Sequence, residues 1–219
     1  MNVSPNLRRE TMKIKNNVYL LESTKGSYVY YLGGDEPVLI DTSLPFKCEA
    51  LIRELESMGV ADSIKHILVT HHDLDHVGNL VPLQQRTGAN VWASAADIPY
   101  ITGETRRPGF KGTISRIMRV KKPASINAFS EGQSIAGVTV VATPGHTPGH
   151  VCFLYNGVLF AGDLIENKKG VVMPYPAPWT IDPKALLESI KNVELLEFDW
   201  VCPAHGLPFK RSGRAICNQ

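Results

Sequence analysis

The chain is poor in cysteine. Its four residues of this type, Cys48, Cys152, Cys202 and Cys217, are widely scattered and form no CxxC pair. That spacing argues against a disulfide scaffold or a thiolate metal site, and it predicts free thiols that are buried or half-exposed. Cys202 is the one to watch, because it lies close to His205 in the sequence. Long hydrophobic runs are also missing. No stretch approaches the roughly 20 apolar residues of a membrane span, and the opening segment MNVSPNLRRETMKIKNNVYL holds no apolar region of the signal-peptide kind. The expectation is a soluble, cytoplasmic protein without a membrane partner. Charge of one sign is lacking too. With 23 Lys and Arg against 21 Asp and Glu, the net charge of +2 is too small to imply a nucleic-acid partner. There is no low-complexity tract and no short-period repeat. What is present is 219 residues, 43% of them hydrophobic, enough to build the core of a single α/β domain over 1–219.

Short β-branched runs recur between Gly, Pro and Asp. Val18–Leu21, Ser27–Leu32 and Val38–Ile40 read as opening strands, with GGDEP at 33–37 as a hairpin connection. From Pro45 to Met58 the apolar residues Phe46, Ala50, Leu51, Leu55 and Met58 repeat at helical spacing, and Gly59 ends the run. Ile64–Thr70 predicts a buried strand, Asn79–Thr87 a short helix stopped at Gly88, and Ala89–Ala93 a strand. Further strands are expected at Ser134–Ala142, Val151–Tyr155 and Val158–Ala161, with Asn156-Gly157 turning the last pair. Asp182–Leu196 predicts a helix with Pro183 in its first turn, and Trp200–Cys202 a last strand. This order suggests two β-rich halves flanked by helices, a mixed-sheet sandwich. The stretch 97–123 reads as an insertion. From Arg106 to Lys122 it carries seven basic residues and no acidic one, with Ile114, Ile117 and Met118 giving it an amphipathic helical character. It reads either as a solvated helix face or as a recognition surface for phosphate or carboxylate.

Four segments carry the chemistry, each following a predicted strand: THHDLDHVG (70–78), TPGHTPGH (143–150), AGDL (161–164) and PAHG (203–206). Six of the seven histidines lie in them, and the seventh, His66, sits inside a strand and reads as structural. Histidine and carboxylate together are ligands for zinc, manganese and iron. On an extended loop, residues two apart point the same way, which would align His71, Asp73 and Asp75, with His76 reaching a second ion after a turn. A carboxylate shared by two ions holds them about 3.5–4 Å apart, a spacing suited to hydrolysis.

On these motifs the chain resembles the metallo-β-lactamase superfamily, with its α/β fold built as an αββα four-layer sandwich. The family pattern H-x-H-x-D-H, then a His, a bridging Asp and a final His, matches in order and strand context over about residues 18–206. LIDTS at 39–43 resembles the family's early strand end with a supporting Asp, and TPGHTPGH resembles the corresponding loop of glyoxalase II-like hydrolases. The resemblance implies one metal held by His71, Asp73 and His146, a second held by Asp75, His76 and His205, and Asp163 between them. His150 is outside that pattern and is expected to hydrogen-bond within its loop. The implied cofactors are two divalent ions, zinc first, with manganese or iron as alternatives. The implied enzyme uses an activated hydroxide on an ester, thioester or lactone, with Asp75 as the catalytic residue that orients the nucleophile and passes a proton to the leaving group.

The departure is Asp73, where the family usually has His. His72 is one residue out of register and is expected to point away. With three aspartates, two divalent ions and a hydroxide, the formal charge sums to zero, whereas the His version carries one positive charge. Such a site should attract anionic substrates less and accept manganese or iron more readily. Two other classes compete: a nuclease or phosphodiesterase of the same superfamily, reading 106–122 as a nucleic-acid contact, and a di-iron redox protein. The first lacks an attached nucleic-acid module and the second a flavin partner. The partner expected is a small-molecule substrate rather than nucleic acid, and a homodimer stays open. MPYPAPW at 173–179 offers Tyr175 and Trp179 either as an aromatic wall or as a self-packed surface loop.

Overall fold

The computed structural model describes residues 11–107, 123, 125–213 and 215–217. Seven strands form the first sheet in sequence order: β1 (Met12–Lys15), β2 (Val18–Leu21), β3 (Val29–Leu32), β4 (Val38–Ile40), β5 (His66–Leu68), β6 (Asn90–Ser94) and β7 (Asn127–Phe129). The first four pair antiparallel, and β4 to β7 run parallel. Parallel neighbours need crossovers, and two of these carry helices α1 (Cys48–Ser57) and α3 (Leu80–Thr87). The second sheet has the order β14-β13-β11-β10-β9-β8, with β12 also paired to β11. Its strands are β8 (Ser134–Ile135), β9 (Val138–Ala142), β10 (Val151–Tyr155), β11 (Val158–Lys168), β12 (Val171–Pro174), β13 (Trp200–His205) and β14 (Phe209–Lys210).

Side-chain alternation produces the layers. Leu20, Tyr30 and Ile40 are register partners across β2, β3 and β4 and face the second sheet. Their neighbours Leu21, Val29, Tyr31 and Leu39 face the other way, onto Leu51 and Leu55 of α1 and Leu83 of α3. In the second sheet Phe153, Val158 and Phe160 enter the space between the sheets, while Cys152, Leu159 and Ala161 meet Leu186, Ile190 and Val193 of α5 (Pro183–Glu194). The period of two thus gives each sheet two apolar faces, and helices cover the outer ones. The result is the αββα arrangement.

Four expectations need correction. Ser134–Ala142 is not one strand but the hairpin β8–β9, turned at Ala136 and Gly137, both with positive φ. The strand expected to end at Ala161 runs on to Lys168, so Asp163 lies within β11 and not in a loop. Register shifts on either side of Gly162 let this strand bend while it stays paired to β13. β13 likewise runs through to His205 rather than ending at Cys202. The segment expected to be extended through Asp75 turns helical at α2 (Leu74–Val77), which ends the alternation after Asp73. Helix α4 (Ile98–Ile101) opens the expected insertion, whose basic stretch lies, beyond Arg107, outside the described residues. All four cysteines are free. Cys202 is fully buried between the sheets, where burial pushes its thiol well above the usual range, so it has no part in the histidine cluster. No helix among the described residues is long and apolar enough to cross a membrane.

Candidate metal centre

The seven singled-out residues come together where strands of both sheets end, with Asp163 alone placed within a strand. His71 and Asp73 follow β5, and Asp75 and His76 sit on α2 directly after it. His146 lies in the loop from β9 to β10, Asp163 on β11, and His205 ends β13. They form two clusters, His71, His146 and Asp163 in one and Asp75, His76 and His205 in the other, with the donor atoms of each group all within 4.8 Å of one another. Asp73 Oδ2 joins the first cluster, 3.0 Å from His146 Nε2 and 3.6 Å from His71 Nε2. Asp163 faces both. Its Oδ2 lies 3.4 Å from His146 Nε2 and 3.8 Å from His71 Nε2, and its Oδ1 lies 3.3 Å from the Nε2 atoms of both His76 and His205.

Hydrogen bonds behind the rings turn the right nitrogen inward. His76 Nδ1–H donates to Asp41 Oδ2 at 2.8 Å, which aims Nε2 at Asp163. Asp41 also accepts from the Thr70 amide and hydroxyl, both at 2.8 Å, and that hydroxyl lies 3.1 Å from His71 Nδ1. Asp41 is thus the supporting carboxylate that LIDTS suggested. His150 acts on Asp163. Its Nδ1 lies 2.8 Å from Thr143 Oγ1, so its Nε2 is free to accept the Asp163 amide at 3.0 Å. Burial, with the nearby His146, lowers the His150 imidazole to about 3, which keeps it neutral for this task.

The donor set fits divalent ions. Nε2 of His71, His76 and His205 and Oδ1 of Asp163 are buried and make no hydrogen bond of proper geometry. Leaving one such group unsatisfied costs about 1–3 kcal/mol, and here several converge on two points. A borderline divalent cation satisfies nitrogen and carboxylate oxygen together. Burial opposes charge on His205, yet Asp163 and Asp75 push it up to about 10. Burial likewise opposes charge on His76, and Asp163, Asp41 and Asp75 raise it well above the usual value. Burial and the charge of His76 hold His71 well below. At neutral pH the metal-free second cluster therefore carries protons that an ion must displace, whereas His71 is already neutral. The expected outcome is a second-cluster affinity that climbs with pH by roughly 100-fold per unit, the slope for two displaced protons, and a flatter first-cluster affinity. Calorimetric zinc titrations on either side of neutrality, in buffers of different ionisation enthalpy, check this.

Two residues of the surroundings had different standing in the sequence. Tyr175 was one of two candidate wall residues, and its ring packs edge-on against His146 at 4.6 Å and lies 5.5 Å from His205. Burial and the carboxylates Asp163 and Asp75 push its phenol far above the usual range, so it stays protonated. Trp179 is 45% exposed. Asp97 was not singled out at all. It is fully buried, and its carboxylate receives hydrogen bonds from the His72 and Gly149 amides and the Thr147 hydroxyl. His72 lies beside the cluster, with Nδ1 3.0 Å from Asp97, Nε2 3.8 Å from Asp73 Oδ1 and its ring stacked on Tyr100 at 4.3 Å. No local pattern marks Asp97, because its partners lie 25 and about 50 residues away.

The loop that carries His146 is fitted tightly to α5. Gly145 has φ +142°, its carbonyl accepts from the Asp182 amide at 2.9 Å, and a Cβ there would stand 2.3 Å from the Leu186 nitrogen. Gly145→Ala is therefore expected to cost about 3 kcal/mol through strain and overlap. It should also displace His146, read as a lowered melting temperature together with weaker zinc binding.

A family model described as the metallo-beta-lactamase superfamily matches residues 18–205. The chain is 28% identical over 199 residues to the probable metallo-hydrolase YflN of Bacillus subtilis (strain 168), covering 78% of this chain and 75% of that protein. It is 28% identical over 156 residues to a hydroxyacylglutathione hydrolase of Shewanella halifaxensis (strain HAW-EB4), covering 68% of this chain but 47% of that enzyme. Among solved structures it is similar to TTHA1623 in a di-iron-bound form, with a TM-score of 0.67 and 30% identity, covering 84% of this chain and 89% of that one.

Proposed function

The chain belongs to the metallo-beta-lactamase superfamily of metal-dependent hydrolases, and from that premise we propose that it is a dinuclear hydrolase of small esters, thioesters or lactones. In this reading His71, Asp73 and His146 hold one ion, Asp75, His76 and His205 hold the other, and Asp163 is shared. The observation that carries it is the division of the Asp163 carboxylate, with one oxygen toward each cluster. Bound divalent ions supply Lewis acidity, polarising a substrate oxygen and lowering the pKa of water from 15.7 towards about 7.

The chain's own residues do the rest. Of the three clustered carboxylates, Asp163 and Asp73 have side chains only 1% and 9% exposed, and Asp75 stands open at 26%. Asp75 is accordingly the one that can orient an incoming water and carry a proton to the leaving group. The Tyr175 ring forms a wall beside His146 and His205, which shields the reacting groups from solvent. The likeness to hydroxyacylglutathione hydrolase supports a thioester, and to no more than about half of that enzyme's length.

A second reading concerns the metal. Three carboxylates among seven donors suit iron or manganese better than a histidine-rich set does, and TTHA1623 was solved in a di-iron-bound form. The test is a panel of thioesters, lactones, β-lactams and phosphodiesters, run before and after chelation and after reloading with zinc, manganese or iron. Chelator-sensitive turnover of a carbonyl substrate is expected. Turnover that survives full metal removal contradicts the reading.

A further inference from the structure

We propose that the first candidate ion site depends on a buried aspartate of its own, Asp97, which is a positioning residue for the first ion and not for the second. The inference rests on the dinuclear reading given above. Asp41 serves both clusters, through the 2.8 Å bond from His76 Nδ1 and through the Thr70 hydroxyl, which donates to it at 2.8 Å and lies 3.1 Å from His71 Nδ1. Asp97 touches no candidate ligand side chain. It joins the two loops that present them.

Its Oδ1 accepts from the Gly149 amide at 2.8 Å, three residues beyond His146 in the TPGHTPGH loop. Its Oδ2 accepts from the His72 amide at 2.9 Å, between His71 and Asp73, and from Thr147 Oγ1 at 2.8 Å. One carboxylate thus ties the backbone on both sides of the first cluster. Among the described residues, no such bond links it to Asp75, His76 or His205. The approach is close enough to require a glycine, since a Cβ at residue 149 would stand 2.5 Å from Asp97 Oδ1. Asp97 itself follows β6 and precedes α4, so the tie is anchored to the rigid sheet.

The chemistry needs a carboxylate and not merely a side chain of that size. Both oxygens accept from backbone N–H groups, one on each loop. An amide at this position has one oxygen, so whichever way it is turned its NH2 faces one of those N–H donors. Asp97→Asn therefore releases either the 71–73 segment or the 146–149 segment and leaves the second cluster's supports intact.

The test is zinc binding by the full chain at limiting metal, with bound zinc counted after equilibrium dialysis. Asp97→Asn is expected to weaken one ion by about 10–100-fold, the usual effect of removing a ligand's outer support, and to leave the other unchanged. Adding His146→Ala to Asp97→Asn should cost no further tight ion, whereas adding His205→Ala should remove the remaining one. Asp41→Asn, which disturbs His76 directly and His71 through Thr70, should by contrast weaken both ions. Thr147→Val, which deletes a single bond to Asp97, gives a milder version of the same loss should Asp97→Asn fold poorly, with thermal melting as the control. Equal weakening of both ions in Asp97→Asn and Thr147→Val, or no weakening in either, overturns the inference. A parent chain that binds no zinc overturns instead the dinuclear reading beneath it.

Discussion

Asp163→Ala is expected to bind no more than one ion tightly and to turn over substrate about a thousandfold more slowly, or worse. The reason is that this carboxylate belongs to both clusters. Its Oδ1 faces His76 and His205 and its Oδ2 faces His71 and His146, all within 3.8 Å. In the proposed dinuclear reading, ions held by the two clusters would supply charge stabilisation to the attacking and leaving oxygens, and Asp163 would be the anion that both share. Loss of several kcal/mol of such stabilisation is at least about a thousandfold in rate. The metal-free protein supplies a second view of the same dependence. Burial works against charge on Asp163, but His205 and His76 hold its carboxyl well below the usual range. Removing the carboxylate leaves those rings with less reason to hold protons, so the variant should fold while failing to load. Metal content, steady-state rates and thermal melting separate these outcomes. A variant that keeps two ions and near-parental rates would contradict the shared role of Asp163.

Asp73→His is expected to shift relative affinity from iron and manganese toward zinc by about tenfold or more, following the preference of imidazole for zinc and of carboxylate for harder ions. With three aspartates around two divalent ions, the metal–ligand set carries one net positive charge. With His at 73 it carries two. The more positive site should lower the pKa for activity and lower KM for substrates bearing a carboxylate. Geometry permits the exchange, because Asp73 Oδ2 already lies 3.0 Å from His146 Nε2 and the residue leaves the loop in extended conformation before α2 begins. Metal competition monitored by mass spectrometry, together with pH profiles of parent and variant, reads both effects. Unchanged metal preference and an unchanged profile would remove Asp73 from any role at the centre.

Much of this architecture was legible because local patterns mirror it. The unbroken apolar runs at 18–21, 29–32 and 38–40 are strands buried on both faces, toward the inter-sheet core and toward the helices. The spacing of Leu51 and Leu55 is the buried face of α1. The histidine loops follow strand ends, and strand ends of two facing sheets converge, so His71, His76, His146 and His205 were readable as one group. What was not legible depends on distant partners. Asp163 reads as part of a loop because Gly162 interrupts the run, yet β13 pairs alongside and carries β11 through to Lys168. Asp75 reads as extended, yet α2 begins immediately before it and turns it toward His205, 3.2 Å away. Asp97 is silent in sequence, since its value comes from two loops that meet it only in three dimensions. His150 was read as a hydrogen-bonding residue of its loop. That its second nitrogen takes the Asp163 amide follows only from β10 and β11 lying side by side.

The most direct measurement is the number and position of metal ions bound at equilibrium, by metal analysis of the dialysed protein and anomalous scattering from its crystals. The account predicts two ions per chain flanking Asp163, one contacted by His71, Asp73 and His146 and the other by Asp75, His76 and His205. A single ion, or ions placed away from Asp163, would contradict it.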